Sequence, residues 1–339
     1  MTWERAVAEN AWQIDDGIYR ILLPLPWAVP FVNAFLVESR SQYMLVDCGA
    51  NWLPSLRALG RALKAIGVPP RGLTSLVLTH RHPDHAAGAG SVQQRWGGRV
   101  LLHPLEREQR RIESADLQAW LATHGVDEGI LGKPPPPPRE PVEALPVEID
   151  PLPMDEPLIV GDLTFEIVHV PGHSPGQVML REPRRGWLLT ADHVLQPHAP
   201  NAWVFPGTDG DPLGEYLESL ERTLDLDASL ILPGHGMPLR SNPRDLTRAM
   251  ADFHRAFAAR VRETLRGKRL TTWEVVKLTR SEPPTDPAGA RFALAEVLAA
   301  LTYLERRGKV SRAGEGHWVA ADSVSGQNSG PLSSVRRDT

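Results

Sequence analysis

Between positions 79 and 85 the chain reads Thr-His-Arg-His-Pro-Asp-His, so that three imidazoles and a carboxylate fall within six residues. Imidazole nitrogen and carboxylate oxygen are ligands that suit zinc, and also iron or manganese, and no cysteine competes with them in this run. Three further metal-competent side chains come later: His173 in Val170-Pro-Gly-His-Ser-Pro-Gly176, Asp192 in Ala191-Asp-His193, and His235 in Leu232-Pro-Gly-His-Gly236. His80, His82, Asp84, His85, His173, Asp192 and His235 are therefore the candidate metal ligands. Their chemistry would be metal-assisted hydrolysis, in which a bound ion lowers the pKa of a water toward neutrality and yields a hydroxide. Asp84, a carboxylate inside the histidine cluster, is the candidate catalytic residue, placed both to ligate and to orient that hydroxide.

Short β-rich runs precede each of these positions. The runs 31–37, 43–46, 75–79, 99–102, 165–170, 187–190 and 229–232 are apolar or β-branched and are expected to be strands. Four of them end within one to three residues of a candidate ligand, and the carboxyl ends of strands are where open α/β sheets carry their chemistry. One histidine at a strand end decides nothing in a chain with 12 histidines, but four strand ends converging on ligand types do. Glycines flank His235 and one precedes His173, which lets the backbone turn tightly there. Apolar stripes at Leu56, Leu59, Leu63 and Ile66, and at Tyr216, Leu217, Leu220 and Leu224, predict helices covering the sheets. Strands covered by helices make the fold class α/β.

The 339 residues suffice for one large domain and a small one. Apolar residues are 42% and charged residues 23%, which supports a buried core, and the net charge of −4 gives no global case for nucleic acid. That charge is unevenly spread: residues 244–321 hold 15 Lys+Arg against 9 Asp+Glu, so the remainder is acidic. Cys48 is the single cysteine, which excludes an intrachain disulfide and fits a reducing compartment. Residues 1–16 carry five charges and no apolar core of a signal peptide, and the apolar run 22–37 is interrupted by Pro24, Pro26 and Pro30. The expected location is cytoplasmic, with no membrane span.

Residues 1–243 are expected to form the catalytic domain. Within it, 106–157 begins as a charged helix and then runs through five prolines at 134–138, so it is expected to be a surface insertion. From 244 the pattern turns helical. Met250, Phe253, Phe257, Val261 and Leu265 share a helix face; 272–279 forms a short helix capped by Thr271; Leu294, Val297, Leu298, Leu301 and Leu304 mark a third helix that stops at Gly308. Two short strands within 309–319 complete a winged-helix pattern over 244–321, and 322–339 is expected to be a disordered tail.

The four motifs, His-x-His-x-Asp-His, Gly-His-Ser-Pro-Gly, Ala-Asp-His and Pro-Gly-His-Gly, resemble those of the metallo-β-lactamase superfamily, in the same order and over roughly residues 15–240. The resemblance implies a four-layer αββα sandwich with a binuclear site at one edge. By position, His80, His82 and His173 would hold the first metal, Asp84, His85 and His235 the second, and Asp192 would bridge. Two Zn2+ are the expected cofactors, with iron or manganese allowed. Asp47, in Leu45-Val-Asp-Cys-Gly49, matches a family position that supports the histidine-rich loop, although a simple turn residue reads the same way. True metallo-β-lactamases usually lack an aspartate at the place of Asp192 and are secreted, so antibiotic hydrolysis is not expected. The flavodiiron relatives replace the second histidine by glutamate, whereas this chain has His82.

Two substrate classes follow from the resemblance, and a third reading has no substrate. The glyoxalase II-like branch implies a small ester, thioester or lactone, for which Trp27, Val29, Phe31, Trp203 and Phe205 would wall the site; Phe31 is the one most expected in the core instead. The C-terminal pattern resembles the lactamase-beta-2-like group, whose members include a single-strand endoribonuclease, and its basic excess would then contact single-stranded RNA. Winged helices also pack or pair two copies of a chain, so a homodimer is compatible. A non-catalytic winged-helix regulator has no need of seven ligands. His193, beside Asp192, reads equally as a proton donor to the leaving group and as a loop histidine facing away.

Overall fold

The computed structural model describes residues 10–107, 114–132, 147–196 and 199–321. The polyproline stretch and the tail beyond 322 lie outside the described residues. Seven strands form the first sheet in chain order: β1 (Ala11–Asp15), β2 (Ile18–Pro24), β3 (Phe31–Ser39), β4 (Gln42–Val46), β5 (Ser75–Leu78), β6 (Arg99–Leu102) and β7 (Ile149–Pro151). β1 to β4 pair antiparallel, and β4 to β7 pair parallel. The parallel half needs crossovers, which α1 (Leu53–Ile66), then α2 (Pro83–Ala86) and α3 (Ala89–Trp96), supply. The second sheet holds β8 (Leu158–Val160), β9 (Leu163–His169), β10 (Val178–Glu182), β11 (Trp187–Ala191) and β12 (Leu230–Pro233), in the spatial order β12-β11-β10-β9-β8.

Period-2 alternation assigns each face. In β3 to β6, Phe35, Val37, Met44, Val46, Val77 and Leu101 share one core with Phe165, Val178, Leu180, Trp187, Leu189, Leu230 and Leu232 of the second sheet. Their neighbours Leu36, Leu45, Leu76, Leu78, Val100 and Leu102 point the other way, onto Ala58, Leu59, Ala62 and Leu63 of α1 and Val92 and Trp96 of α3. The layers therefore run helices, sheet, sheet. Beyond the second sheet, the helix Pro212–Thr223 buries Tyr216, Leu217 and Leu220 and bonds the loops that follow β9 and β11.

The described chain divides into two compact units. The first takes Met1–Arg111, Pro136–Ala202 and Pro212–Phe253; the second takes Ile112–Pro135, Trp203–Asp211 and His254–Thr339. Inside the second lie α4 (Ser114–Thr123) and α5 (Glu128–Leu131), whereas α6 is the Pro212–Thr223 helix of the first. α7 (Arg244–Thr264) crosses the boundary, and β13 (Arg269–Thr271), α8 (Thr272–Thr279), α9 (Pro287–Arg306), β14 (Val310–Arg312) and β15 (His317–Ala320) follow. The strands make a small sheet ordered β13-β15-β14. The Thr271 cap is present as a reciprocal box with Glu274, and all five apolar positions expected of α9 are buried.

Within the expected surface insertion 106–157, the described residues do not all lie on the surface. Glu106 is fully buried in the first unit, β7 extends the first sheet, and residues 114–132 bury Leu121, Val126 and Ile130 within the second. There Trp273 Nε1 donates to Asp127 (3.0 Å) and His124 Nδ1 meets Thr272 Oγ1 (3.0 Å). These partners lie about 150 residues along the chain from α4 and α5, so helix amphipathicity alone could not reveal them. Phe253, expected on the buried face of α7, is 50% exposed. The β1–β2 hairpin was missed although Asp16-Gly17 is a hairpin turn signal; Gly17 has φ +84°.

Two glycines separate steric need from tolerance. At Gly172 (φ +130°) a Cβ would sit 2.4 Å from the Tyr216 backbone, whereas Gly60, inside α1, has nothing within 4 Å. We expect Gly172→Ala to lower stability by a few kcal/mol and Gly60→Ala to raise it by about 0.5–1 kcal/mol. Urea unfolding midpoints check both, and a Gly172→Ala midpoint equal to that of the wild type would refute the steric assignment.

Candidate metal centre

All seven candidate ligands lie in the first unit, and the structure gathers them. Ligand-type atoms of three groups lie within 4.8 Å of one another: His80, His82 and His173; His80, His85 and Asp192; and Asp84, His85 and His235. The cluster is built from the ends of β5, β9, β11 and β12, as the sequence places it.

Each ring is aimed by the nitrogen it does not present. His173 Nδ1 donates to Asn201 O (2.8 Å) and His235 Nδ1 to Phe31 O (2.9 Å). His85 Nδ1 donates to Asp47 Oδ2 (2.8 Å). Thr79 Oγ1 gives its proton to the same Asp47 oxygen (2.9 Å), which leaves it to accept from His80 Nδ1 (3.0 Å). Four Nδ1 positions are thus protonated outward, and four Nε2 atoms point inward. His82 is reversed and turns Nδ1 to the centre, 3.0 Å from His80 Nε2 and 2.8 Å from His173 Nε2. One proton on that nitrogen satisfies only one of the two facing lone pairs.

The cluster passes a test of fit for cations. Among the described residues, His85 Nε2 and Asp192 Oδ1 are buried with no hydrogen-bond partner other than each other, at 3.5 Å. Asp192 Oδ2 stands 3.6 Å from both His173 Nε2 and His235 Nε2. Zinc–ligand bonds of about 2.0–2.1 Å set tetrahedral edges near ~3.4 Å, and donor spacings here run from 2.8 to 3.8 Å. A donor set mostly withdrawn from solvent and spaced in this way fits divalent ions. Asp192 touches both halves of the cluster through its two oxygens.

Electrostatics divide the halves. Burial, reinforced by His85, His82 and His173, holds His80 well below its ordinary value; burial and His173 bring His82 to about 3, and burial lowers His173. These three are neutral donors. On the other side burial would push the carboxylates up, but His85 and His235 bring Asp84 down to about 2, and His235, His85 and His173 hold Asp192 well below the usual range. Burial would lower His85, yet Asp192, Asp84 and Asp47 outweigh it and raise the imidazole.

Glycine is needed beside the ligands. A Cβ on Gly234 would lie 2.4 Å from Asp192 Oδ1 and 2.8 Å from His85 Cε1. Asp47 is more than a turn residue: besides His85 and Thr79 Oγ1 it accepts the Thr79 N–H on Oδ1 (2.8 Å), and it adopts φ +60°, a strained conformation for a non-glycine. Sequence reading passed over Asn33 and Arg20. Asn33 Nδ2 donates to Pro233 O (2.8 Å) and Gly236 O (2.9 Å), bracing the His235 loop, and Arg20 Nε donates to Asn33 Oδ1 (2.7 Å). A polar residue interrupting each of the apolar runs Ile18–Pro24 and Phe31–Ser39 was the available signal.

Of the two readings left open for His193, the structure has the one that faces away: it is fully buried, its Nε2 meets Thr223 Oγ1 (3.1 Å), and its ring packs on Tyr216. Phe31 is 38% exposed rather than in the core, because it opens β3 beside the loop that carries His235. Trp27 and Val29 are exposed on the same β2–β3 loop, whereas Trp203 and Phe205 join an aromatic cluster with Phe292 in the second unit.

The model of the metallo-beta-lactamase superfamily matches residues 27–235, and the chain belongs to that family. The superfamily's members are hydrolases, so the class defined by fold and site is that of a metallohydrolase. Among its relatives, the probable metallo-hydrolase YqjP of Bacillus subtilis (strain 168) is 26% identical over 294 residues, spanning 77% of this chain and 84% of its own. The acyl-coenzyme A thioesterase MBLAC2 of Gallus gallus is 27% identical over 217 residues, 60% of this chain and 72% of its own. The crystal structure of the metallo-beta-lactamase family protein TTHA1429 from Thermus thermophilus has a TM-score of 0.78 at 27% identity, over 91% of this chain and 100% of that one. No helix among the described residues is long and apolar enough to cross a membrane.

Two outcomes follow. Asp47→Asn sets a donor against the N–H of Thr79 or of His85, so metal affinity should fall by about 10–100-fold; chelator competition measures it, and unchanged affinity would remove Asp47 from the support. Burial, with His173 and Arg222 nearby, brings His193 to about 3, against an unfolded value near ~6.5. The unfolded chain binds the extra proton between those values, so this stability is present above pH ~6.5 and is lost as pH falls toward ~3. In metal-free protein His193→Gln should remove about 1.4 kcal/mol per pH unit from the slope of unfolding free energy across that window. An unaltered slope would show that His193 already titrates normally.

Proposed function

We propose that the chain is a binuclear metallohydrolase that cleaves a small ester, thioester or lactone. His80, His82 and His173 would hold one divalent ion, Asp84, His85 and His235 a second, and Asp192 would bridge them. The observation that carries the reading is the convergence of five imidazoles on the carboxylates of Asp84 and Asp192, with His85 Nε2 and Asp192 Oδ1 left, among the described residues, without hydrogen-bond partners other than each other. Zinc is the ion the donor set suits first, and iron or manganese fit the same atoms. When bound, two such ions lower the pKa of a shared water and polarise the substrate carbonyl.

The chain's own residues supply the rest. Asp84 keeps 22% of its side chain exposed and is the carboxylate a reactant reaches, held ionised beside His235 (3.2 Å) to orient an incoming water and take its proton. Asp47 and the Thr79 hydroxyl keep the imidazoles turned inward, so the donors need no reorganisation when substrate arrives. Trp27, Val29 and Phe31 form an exposed apolar edge on the β2–β3 loop, and the Phe31 carbonyl is tied to His235. An apolar edge beside the ligands suits an acyl group. A relative described as an acyl-coenzyme A thioesterase supports a thioester as the first substrate to test.

We read residues 244–321 as a winged-helix module, on the order helix, strand, helix, helix, strand, strand and on the three-stranded sheet. Its compact unit also takes in 112–135 and 203–211. RNA binding through this module is the weaker reading. α9, the helix that would face a nucleic acid, has ten of its 20 residues buried. Much of the basic excess is already engaged: Arg307 with Asp211 (2.8 Å), Arg312 with Glu305 (3.1 Å), Arg280 with Glu296, and Arg291 over Phe205 (4.8 Å to the ring centroid).

Purified chain should contain close to two metal ions by elemental analysis, and chelation or His80→Ala should abolish turnover of an acyl thioester or lactone. Full activity in metal-free protein would overturn the reading. Cleavage of labelled single-stranded RNA, with no turnover of esters, thioesters or lactones, would replace the proposed substrate class.

A further inference from the structure

Glu106 is a fully buried carboxylate whose oxygens are taken by backbone N–H groups, and nothing in the proposed chemistry uses it. It closes the short 3-10 turn Pro104–Glu106 after β6, which His103 caps by accepting the Leu105 N–H on Nδ1 (3.2 Å). Its two oxygens go to two different loops. Oε2 accepts the backbone N–H of Arg81 (2.9 Å), the residue between His80 and His82. Oε1 accepts the backbone N–H of Gly176 (2.6 Å), on the loop that carries His173.

Everything around this carboxylate tightens the same joint. The Arg81 guanidinium reaches back to the carbonyls of Glu106 (3.2 Å) and Arg107 (2.9 Å). His103 stacks on His169 with ring centroids 4.6 Å apart and planes 11° apart, and His169 Nε2 donates to Pro175 O (2.9 Å). A Cβ at Gly176 would lie 2.8 Å from Glu106 Cγ and 2.7 Å from His103 Nδ1, so glycine is what lets the two loops close on the carboxylate. Hydrogen bonds to an ionised acceptor are shorter and stronger than neutral ones, and burial strengthens them further.

We propose that Glu106 is a positioning residue that sets the spacing of the three-histidine group by fixing the backbones of both loops that supply it. The proposal rests on the binuclear reading above. Its content is selective: Glu106 fixes the backbone at Arg81, between His80 and His82, and at Gly176, on the loop carrying His173, whereas His85 and His235 are braced through Asp47 and the Phe31 carbonyl. Glu106→Gln keeps the size and one acceptor but sets an amide N–H against a backbone N–H; Glu106→Ala removes both acceptors.

The test is stepwise zinc binding to the full-length chain by chelator competition, with amide hydrogen exchange of the metal-free protein. In Glu106→Gln the site of the three histidines should bind zinc about 10–100-fold more weakly, with the second site unchanged within about threefold. Exchange at the Arg81 and Gly176 amides should quicken without zinc present. Should Glu106→Ala fail to fold, Glu106→Gln carries the test alone. If the wild-type chain takes up no zinc, iron or manganese, the metallohydrolase reading fails. If the wild type binds two ions and Glu106→Gln binds both as tightly, the positioning role is overturned. Equal weakening of both sites, with a lowered unfolding midpoint, would also overturn it, because Glu106 would then be general core support.

Discussion

Five imidazoles meet at the strand ends of the first unit, each with one ring nitrogen turned inward, and four of them do so because their other nitrogen is committed outward. Asn201, Phe31, Asp47 and Thr79 take those outward protons. Without these acceptors each ring would flip or take a proton inward, and the donors would satisfy one another as an ordinary hydrogen-bonded cluster. Lone pairs aimed together in a dry interior cost free energy unless a positive centre sits among them. Support of the rings is therefore the constraint on which the rest depends, and it explains why polar groups stand in an otherwise apolar sandwich.

Those polar groups act as struts between segments far apart in the chain. Asp47 ties the end of β4 to the histidine-rich loop, Glu106 ties that loop to the one carrying His173, and Asn33 with Arg20 ties β3 and β2 to the loop carrying His235. Each is buried and hydrogen-bonded, as a buried polar side chain must be to persist. The two sheets supply a stiff frame between the struts, since alternate residues of β3 to β6 pack against the second sheet and the rest against α1 and α3. A close-packed frame resists the small displacements that would open the cluster.

Much of this was legible before any coordinates. Ligand types clustered after apolar strands announce themselves because both signals are local: the strand from period and composition, the ligand from the residue that follows it. Thr271 as a cap and the buried face of α9 were readable for the same reason. Phe253 and Phe31 misled, because apolar character predicts burial on average and not at the point where a helix passes between units or a strand opens at a loop.

By itself the sequence determined the candidate ligands, the strands that deliver them and the helical character of the C-terminal quarter, all of which follow from neighbours within one element. Tertiary structure alone decided which residues hold the ligands in place. Glu106 and Gly176 are 70 residues apart, Asn33 and Pro233 are 200, and Phe31 and His235 are 204. A carboxylate in a charged segment, or a backbone carbonyl at a strand end, carries no mark of a distant partner in its own neighbourhood. The residues 114–132, which look like surface from their charge, pack with residues beyond 270 for the same reason. Local physics specifies elements, and only closure of the sheets brings together the hydrogen bonds that turn those elements into a site.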